Sequence, residues 1–205
     1  MRCFLAFVIV FAVIIGGFVA YLYSGSFNVA ATSDNPGWVD WIVVTARRNS
    51  IQARVDDVKV PDNLSDQKMI AAGAEHYAEM CAVCHLAPGQ DESETRAGLN
   101  PRPPRLPRIA QYIEPNEAFW IIKNGIRMTA MPAWGPTHTD EQMWQIVAFM
   151  KALPGMTPEQ YHAMTGGAGV MEEHEHHEHG AAPSSPVDIF MPAPRTSATP
   201  PAARQ

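Results

Sequence analysis

Residues 81–85 read CAVCH, and this short segment constrains the chain more than any other feature. Two cysteines separated by two residues, with a histidine directly after the second, form the Cys-x-x-Cys-His signature of covalent haem attachment. The two thiols lie one helical turn apart, so each can add to a haem vinyl group, and the next residue is placed under the iron as an axial ligand. We therefore predict a single covalent haem c held by Cys81, Cys84 and His85.

Two other interpretations of this segment are weaker. A thioredoxin-type redox dithiol needs a βαβ context, whereas the flanks are helical on one side and rich in Pro and Gly on the other. A zinc site needs a fourth strong ligand at conventional spacing, and the segment contains no further cysteine or suitably paired histidine. Electron transfer is therefore the favoured function.

Composition predicts one small all-α domain with appendages. The chain has 205 residues, 18 of them Pro and 14 Gly, and both ends are strongly biased in composition. We expect the haem domain at residues 61–165. Three helices are predicted in it: one from an N-cap at Ser65 into Cys81, one from Pro115 to Gly125, and a last one from a Thr139–Gln142 capping box to Pro154.

The N-terminus predicts a membrane anchor. Residues 4–23 contain no charge over 20 positions, which suffices to span a bilayer as a helix. Arg2 favours a cytoplasmic N-terminus, which places the haem domain on the periplasmic side of a bacterial inner membrane. A cleaved signal peptide is the alternative, because residues 29–31 offer a small-residue cleavage site. The length of the apolar run favours a retained anchor over residues 1–23.

Residues 24–60 are predicted to be a linker and an amphipathic spacer helix. The helix is expected over residues 35–58, with apolar residues at three- and four-residue spacings. Trp38 and Trp41 fit the membrane interface, a partner protein or the haem domain. We favour a packed spacer, because aromatic stripes at helical spacing usually mark buried faces.

A sixth ligand for the iron is predicted in the segment MTAMPAWG. Pro132 biases Met131 toward an extended backbone, which keeps this methionine off any helix and free to reach the iron. A thioether is a soft ligand that stabilises Fe(II) and raises the reduction potential of a His-ligated haem. Met128 is the internal competitor, and Met131 is the favoured ligand.

The order of these features resembles class I monohaem cytochromes c, especially the haem-bearing subunits of some terminal oxidases. The resemblance covers about residues 61–155: a helix, CAVCH, Pro88 and Gly89, a proline-rich loop, NGIRMTAMPAWG and a terminal aromatic helix. It implies that Cys81 and Cys84 bind haem, that His85 and Met131 are axial ligands, that the Pro88 carbonyl orients the His85 ring, and that Gly73 and Tyr77 meet Ile146 and Phe149 where two helices cross.

Charge limits the kind of partner. Residues 61–165 contain eight Lys and Arg against twelve Asp and Glu, so the domain lacks a general basic docking face. We expect redox partner proteins in or at the membrane and no nucleic acid. Within the segment PRPPRLPR, Arg102, Arg105 and Arg108 fit haem propionates or a partner's carboxylates. A solvated loop whose Pro104 and Leu106 pack on the haem is an equal alternative.

Residues 166–205 are predicted to be a disordered tail that is rich in His, Pro and Ala. His174, His176, His177 and His179 lie among carboxylates and suit unselective binding of Cu, Zn or Ni. A solvated tail with incidental metal affinity is the plainer interpretation. The sequence as a whole predicts a membrane-tethered electron carrier rather than an enzyme; the alternatives are an electron-entry subunit of one oxidoreductase or a metal-handling protein.

Overall fold

The computed structural model describes residues 1–166, and that part of the chain is helical with no strand. The all-α prediction is confirmed, and the His-rich tract lies outside the described residues. The chain divides into two compact units between Asp40 and Trp41. The helices are α1 Arg2–Tyr23, α2 Gly37–Val55, α3 Gln67–Met80, α4 Ala82–His85, α5 Glu94–Ala97, α6 Leu106–Ile109, α7 Pro115–Asn124, α8 Asp140–Ala152 and α9 Pro158–Thr165, with a 3₁₀ turn at Ala110–Tyr112.

Helix α1 carries the predicted membrane anchor. Its 22 residues have no charge after Arg2, and none of them is buried. At 1.5 Å per residue the helix is about 33 Å long, close to the thickness of a bilayer's hydrocarbon core. Its length and mean hydropathy of 2.9 therefore suit a membrane span, although a signal sequence meets the same criteria.

Helix α2 is shorter than predicted and packs along only part of its length. It begins at Gly37, directly after Pro36, and it ends at Val55. The Pro36 carbonyl accepts hydrogen bonds from the first helical N–H groups, those of Val39 and Asp40. Ile51 and Val55 are buried, whereas Trp41 is 69% exposed. The burial of Ile51 and Val55 agrees with the packed-spacer interpretation, and the exposure of Trp41 does not.

The domain is organised around the crossing of α3 and α8. At Gly73 an added Cβ would overlap the carbonyl group of Gln145, so the two backbones approach as closely as glycine permits. Tyr77 lies beside Phe149 with ring centroids 5.3 Å apart, and Ile146 is fully buried. The contact predicted between the first and last helices of the family pattern is present.

The helix starts follow their capping residues. Asp66, not Ser65, caps α3, because its carboxylate accepts a hydrogen bond from the Lys68 N–H at 2.9 Å. The capping box predicted for α8 is formed by Thr139 and Gln142. Both Ser65 and Asp66 are residue types that cap helices, and only the hydrogen bond to Asp66 in the structure distinguishes them.

Helix α9 was missed, so the prediction that α8 is the last helix is wrong. Thr157 and Gln160 form a second capping box, Pro158 occupies the first turn, and Gly166 ends the helix with φ +61°. These residues are a recognisable start and stop signal. The helix has only eight residues, which is too short for an apolar period to be evident, although its Tyr161 is fully buried.

We predict that Gly73→Ala lowers the free energy of unfolding by about 2–3 kcal/mol, because the new methyl group must push α8 away from α3. Urea unfolding followed by circular dichroism measures this change. Gly98→Ala is the matched control: its added Cβ meets no atom closer than 3.7 Å, and its stability should change by less than about 0.5 kcal/mol. Equal stabilities of the two variants would contradict the close crossing.

Candidate haem-binding site

The CAVCH segment continues directly from α3. The Cys81 N–H donates to the Tyr77 carbonyl at 2.9 Å, and the His85 N–H donates to the Cys81 carbonyl at 2.8 Å. Cys81 is buried, Cys84 is partly buried, and both are free thiols. The core helix α3 therefore fixes the position of both thiols and of the histidine that follows them.

The electrostatics of the two thiols differ from those of a redox dithiol. Burial, together with the nearby Cys84, raises the pKa of Cys81 to about 12, and burial also raises the pKa of Cys84. Reactive Cys-x-x-Cys pairs have a lowered cysteine pKa, because the thiolate is the nucleophile. The thioredoxin interpretation therefore loses its chemical support.

The ring of His85 is held by a backbone carbonyl. Its Nδ1 lies 2.9 Å from the Pro104 carbonyl oxygen. A carbonyl oxygen can only accept, so Nδ1 carries the proton and Nε2 keeps its lone pair. Burial lowers the pKa of His85, and Arg96 lowers it further, against the opposing effect of the Pro104 hydrogen bond. The ring is therefore a neutral imidazole with one nitrogen available to a metal.

The prediction that the Pro88 carbonyl orients this ring is wrong, because the carbonyl at Nδ1 is that of Pro104. Pro88 lies only three residues after His85, in a turn closed by a hydrogen bond from the Gln90 N–H to the Ala87 carbonyl. The proline-rich loop instead returns across the site and places the Pro104 carbonyl at Nδ1. The correction replaces a local contact with one that spans 19 residues.

Arg96 supports that loop and was not recognised in the sequence. Its side chain is buried, with Nε donating to the Pro103 carbonyl at 3.0 Å and a terminal nitrogen donating to Glu92 at 2.8 Å. Ser93 caps the same turn and donates to the Val83 carbonyl at 2.6 Å. The i, i+4 spacing of Glu92 and Arg96 indicates an ion pair, but nothing in the sequence indicates that the arginine is buried.

Tyr77 supports the other side of the histidine and was recognised only as a packing residue. Its hydroxyl donates to the Leu86 carbonyl at 2.7 Å. Leu86 is a buried non-glycine residue with φ +69°, a conformation that costs about 1–3 kcal/mol and persists only where the surrounding structure holds it. The residue directly after the histidine is thus held by a buried side chain of α3.

The arginines of the proline-rich loop face an acidic turn. Arg108 lies 2.9 Å from Asp91, Arg105 lies 3.6 Å from the same carboxylate, and Arg102 lies 3.4 Å from Glu92. These pairs are largely exposed and therefore contribute little to stability individually. They link the two loops that flank His85, a role that neither interpretation of these arginines anticipated.

Met131 lies in a loop that folds back on the end of α7. The Ile126 N–H donates to the Met131 carbonyl at 3.1 Å, and the Met131 N–H donates to the Thr129 hydroxyl at 3.1 Å. The Met131 side chain is partly buried and packs against the hydrophobic core cluster that contains Cys81. Met128, at the tip of the same loop, is 80% exposed with φ +63°.

The residues present fit a covalently attached haem. Two free thiols occupy one helical turn, a neutral imidazole with a free Nε2 follows them, and a thioether packs against the same core. These donors are those that hold c-type haem, and thioether ligation is matched to a high-potential iron. The set comprises Cys81, Cys84, His85 and Met131.

Residues 68–150 match the family described as cytochrome c oxidase, cbb3-type, subunit III. The matched segment runs from the first turn of α3 through CAVCH and the Met131 loop into α8. It is a class I cytochrome c domain. This cytochrome c domain is similar to the haem-bearing subunits of oxidases, as the sequence predicts, and it makes the chain a haem-binding electron-transfer protein with redox partners. No curated protein and no solved structure matches the chain.

Ionisation of Glu92 should contribute to the stability of the cytochrome c domain. Burial alone would raise its pKa, but the hydrogen bond and charge of Arg96, with Ser93 and Arg102, bring the pKa below its usual value of 4.5. A carboxyl group with a lowered folded pKa stabilises the fold above the unfolded pKa and loses that effect as the pH falls through the folded pKa.

We therefore predict that Glu92→Gln lowers the free energy of unfolding at pH 7 by less than about 1 kcal/mol, because the carboxylate is partly exposed. The difference between the variant and the original protein should shrink as the pH falls below 4.5. Urea unfolding from pH 7 to pH 3 measures both effects. Glu94→Gln on the neighbouring surface is the control, and a Glu92 effect that is independent of pH would contradict the ion pair.

Proposed function

We propose that the chain is a membrane-tethered electron carrier that transfers one electron at a time through one covalently bound, His/Met-ligated c-type haem. The observation that carries the proposal is the fixed His85 ring, whose Nδ1 is engaged by Pro104 and whose Nε2 is free, directly beside two free thiols. The haem supplies a reversible change between Fe(II) and Fe(III). The protein supplies its attachment, its ligands and its apolar surroundings.

Cys81 and Cys84 would hold the haem through thioether bonds. Each thiol would add across one vinyl group, with its sulfur bonding to one vinyl carbon and its hydrogen passing to the other. No external oxidant is required.

Met131 is the proposed sixth ligand rather than Met128. Its backbone is held on both sides by hydrogen bonds, and the α7 terminus packs tightly beneath it, where an added Cβ at Gly125 would meet the Met131 carbonyl at 2.8 Å. The exposed side chain of Met128 lacks such support. With His85 and Met131 both bound to it, a haem iron would have no position left for a substrate, which favours a carrier over a catalyst.

An electron-entry subunit of one oxidoreductase is the second candidate. The family match to an oxidase subunit favours it, because such a subunit passes electrons to a fixed partner rather than to several. Purification from mildly solubilised membranes distinguishes the two: a stable stoichiometric partner supports the subunit, and isolation of the chain alone supports the free carrier. Metal handling by the His-rich tail stays a prediction, since those residues lie outside the described structure.

The proposed location is a bacterial inner membrane, with the cytochrome c domain on the periplasmic side and α1 retained as the anchor. Helix α1 has the length and apolar composition of a membrane span. Membrane fractionation with N-terminal sequencing should therefore find the whole chain in the membrane with Arg2 near its N-terminus. A soluble mature form beginning near Thr32 would contradict the anchor.

We predict that Met131→Ala abolishes the near-infrared charge-transfer band between methionine sulfur and Fe(III), lowers the reduction potential, and allows carbon monoxide to bind the reduced protein. The reason is the loss of a soft ligand from the sixth position. Optical spectroscopy and redox titration measure these effects. The fold should survive on the two covalent links and His85.

Met128→Ala is the matched control from the same loop, and it should leave the band, the potential and the carbon monoxide response unchanged. A high-spin iron in the wild-type protein, together with free binding of carbon monoxide, would instead indicate a vacant sixth position. That result would favour a catalytic haem over an electron carrier.

A further inference from the structure

The side chain of Thr129 makes two hydrogen bonds within the loop that carries Met131. Its hydroxyl donates to the Ile126 carbonyl at 2.8 Å and accepts from the Met131 N–H at 3.1 Å. The residue is partly buried. Threonine hydroxyls bond to nearby backbone groups in this way where the chain has left a helix. Thr129 therefore acts directly on the backbone of the proposed sixth ligand.

The two bonds complete a ring of contacts around the Met131 backbone. The Met131 carbonyl accepts from the Ile126 N–H at 3.1 Å. The Met131 N–H is linked to the Ile126 carbonyl through the Thr129 hydroxyl. Both polar backbone groups of Met131 are thus tied to the same residue, one directly and one through Thr129. The position of the Met131 sulfur then depends mainly on the torsions of its own side chain.

The loop is anchored to α7 on both sides of this ring. The Gly125 N–H donates to the Ile121 carbonyl at 2.8 Å. Farther along, the Trp134 N–H donates to the Ile122 carbonyl at 3.0 Å. These bonds join backbone to backbone, so a side-chain substitution in the loop leaves their donors and acceptors in place. The Thr129 hydroxyl, in contrast, is a part of the support that a substitution can remove.

The Ile126 carbonyl also closes the turn that contains Met128. The Thr129 N–H donates to it at 3.2 Å, in addition to the Thr129 hydroxyl. Within this turn Met128 has φ +63° and is 80% exposed. A left-handed conformation at a non-glycine residue persists only where the surrounding structure holds it. Thr129 therefore stabilises an arrangement in which Met128 lies outside and Met131 packs against the core.

We propose that Thr129 is a positioning residue of the haem centre, whose hydroxyl holds the Met131 backbone where its sulfur can bind the iron. The inference rests on the His/Met-ligated haem of the proposed function. A ligand in a loop that is already ordered loses less conformational entropy when it binds. Removal of the hydroxyl should therefore lower the fraction of protein in which Met131 is bound, while the rest of the fold is kept.

The test uses the full-length, haem-loaded protein in detergent. Carbon monoxide can bind the reduced iron only after Met131 has left it, so the binding rate reports the unbound fraction. Thr129→Val keeps the shape of the side chain and removes the hydroxyl. We expect carbon monoxide to bind about tenfold faster, as the loss of hydrogen bonds of ordinary net strength implies. The reduction potential should fall as well, because thioether ligation favours Fe(II).

Rescue by a conservative variant separates the hydroxyl from the packing of the side chain. Thr129→Ser keeps the hydroxyl and should return both properties to nearly wild-type values. Thr137→Val is the matched control, because the Thr137 hydroxyl donates to the Trp134 carbonyl at 3.3 Å, farther along the same loop. It should change neither property. Should Thr129→Val fail to fold, Thr129→Ala takes its place with the same expectation.

A double-mutant comparison identifies the group through which Thr129 acts. In a Met131→Ala background no methionine remains to be positioned, so Thr129→Val should no longer accelerate carbon monoxide binding. A persistent acceleration would overturn the proposal by showing that the hydroxyl controls access to the iron in another way.

Wild-type carbon monoxide kinetics and potential in Thr129→Val would also overturn the inference, since the hydroxyl would then have no effect on ligation. That failure is distinguishable from failure of the proposed function. A covalent haem with a normal methionine band and no response to Thr129 defeats the inference alone. A wild-type protein without covalent haem, or without the methionine band, defeats the proposed function itself.

Discussion

The hydrogen bond from His85 Nδ1 to the Pro104 carbonyl governs the chemistry of the site, because it decides which ring nitrogen can bind a metal. The bond depends on a loop that has no regular structure of its own. Arg96 holds the Pro103 carbonyl, and Glu92 neutralises the buried guanidinium. An ion pair between a buried guanidinium and a partly exposed carboxylate thus supports the orientation of the ring, which makes an irregular loop part of the site rather than a connection between helices.

The helical part of the site depends on the close approach of α3 and α8. Gly73 lets the two backbones meet. Tyr77, on the same helix, donates a hydrogen bond to the carbonyl of Leu86, the residue directly after the histidine. The covalent motif therefore follows a helix that is fixed by packing and precedes a turn that is fixed by a buried hydrogen bond. Such preorganisation lets a small domain keep its ligands in place while it gains and loses an electron.

Much of this arrangement could be predicted from local sequence. The CAVCH motif requires only adjacent residues, and the α8 capping box is equally local. Ring orientation by Pro104 and burial of Arg96 could not be predicted, because both depend on how the proline-rich loop returns across the site. Pro88 was the nearer and more obvious proline, but the carbonyl that reaches the His85 ring is that of Pro104. Helix α9 has strong caps, yet it is too short for its apolar residues to show a period.

The central claim is a covalently attached, low-spin haem with His85 and Met131 as its axial ligands. The most direct test is near-infrared magnetic circular dichroism of the oxidised full-length protein, combined with its mass after denaturation. The account predicts a methionine-to-Fe(III) charge-transfer band and a mass increased by one haem that denaturation does not remove. A haem lost on denaturation, or a spectrum without the methionine band, would contradict it.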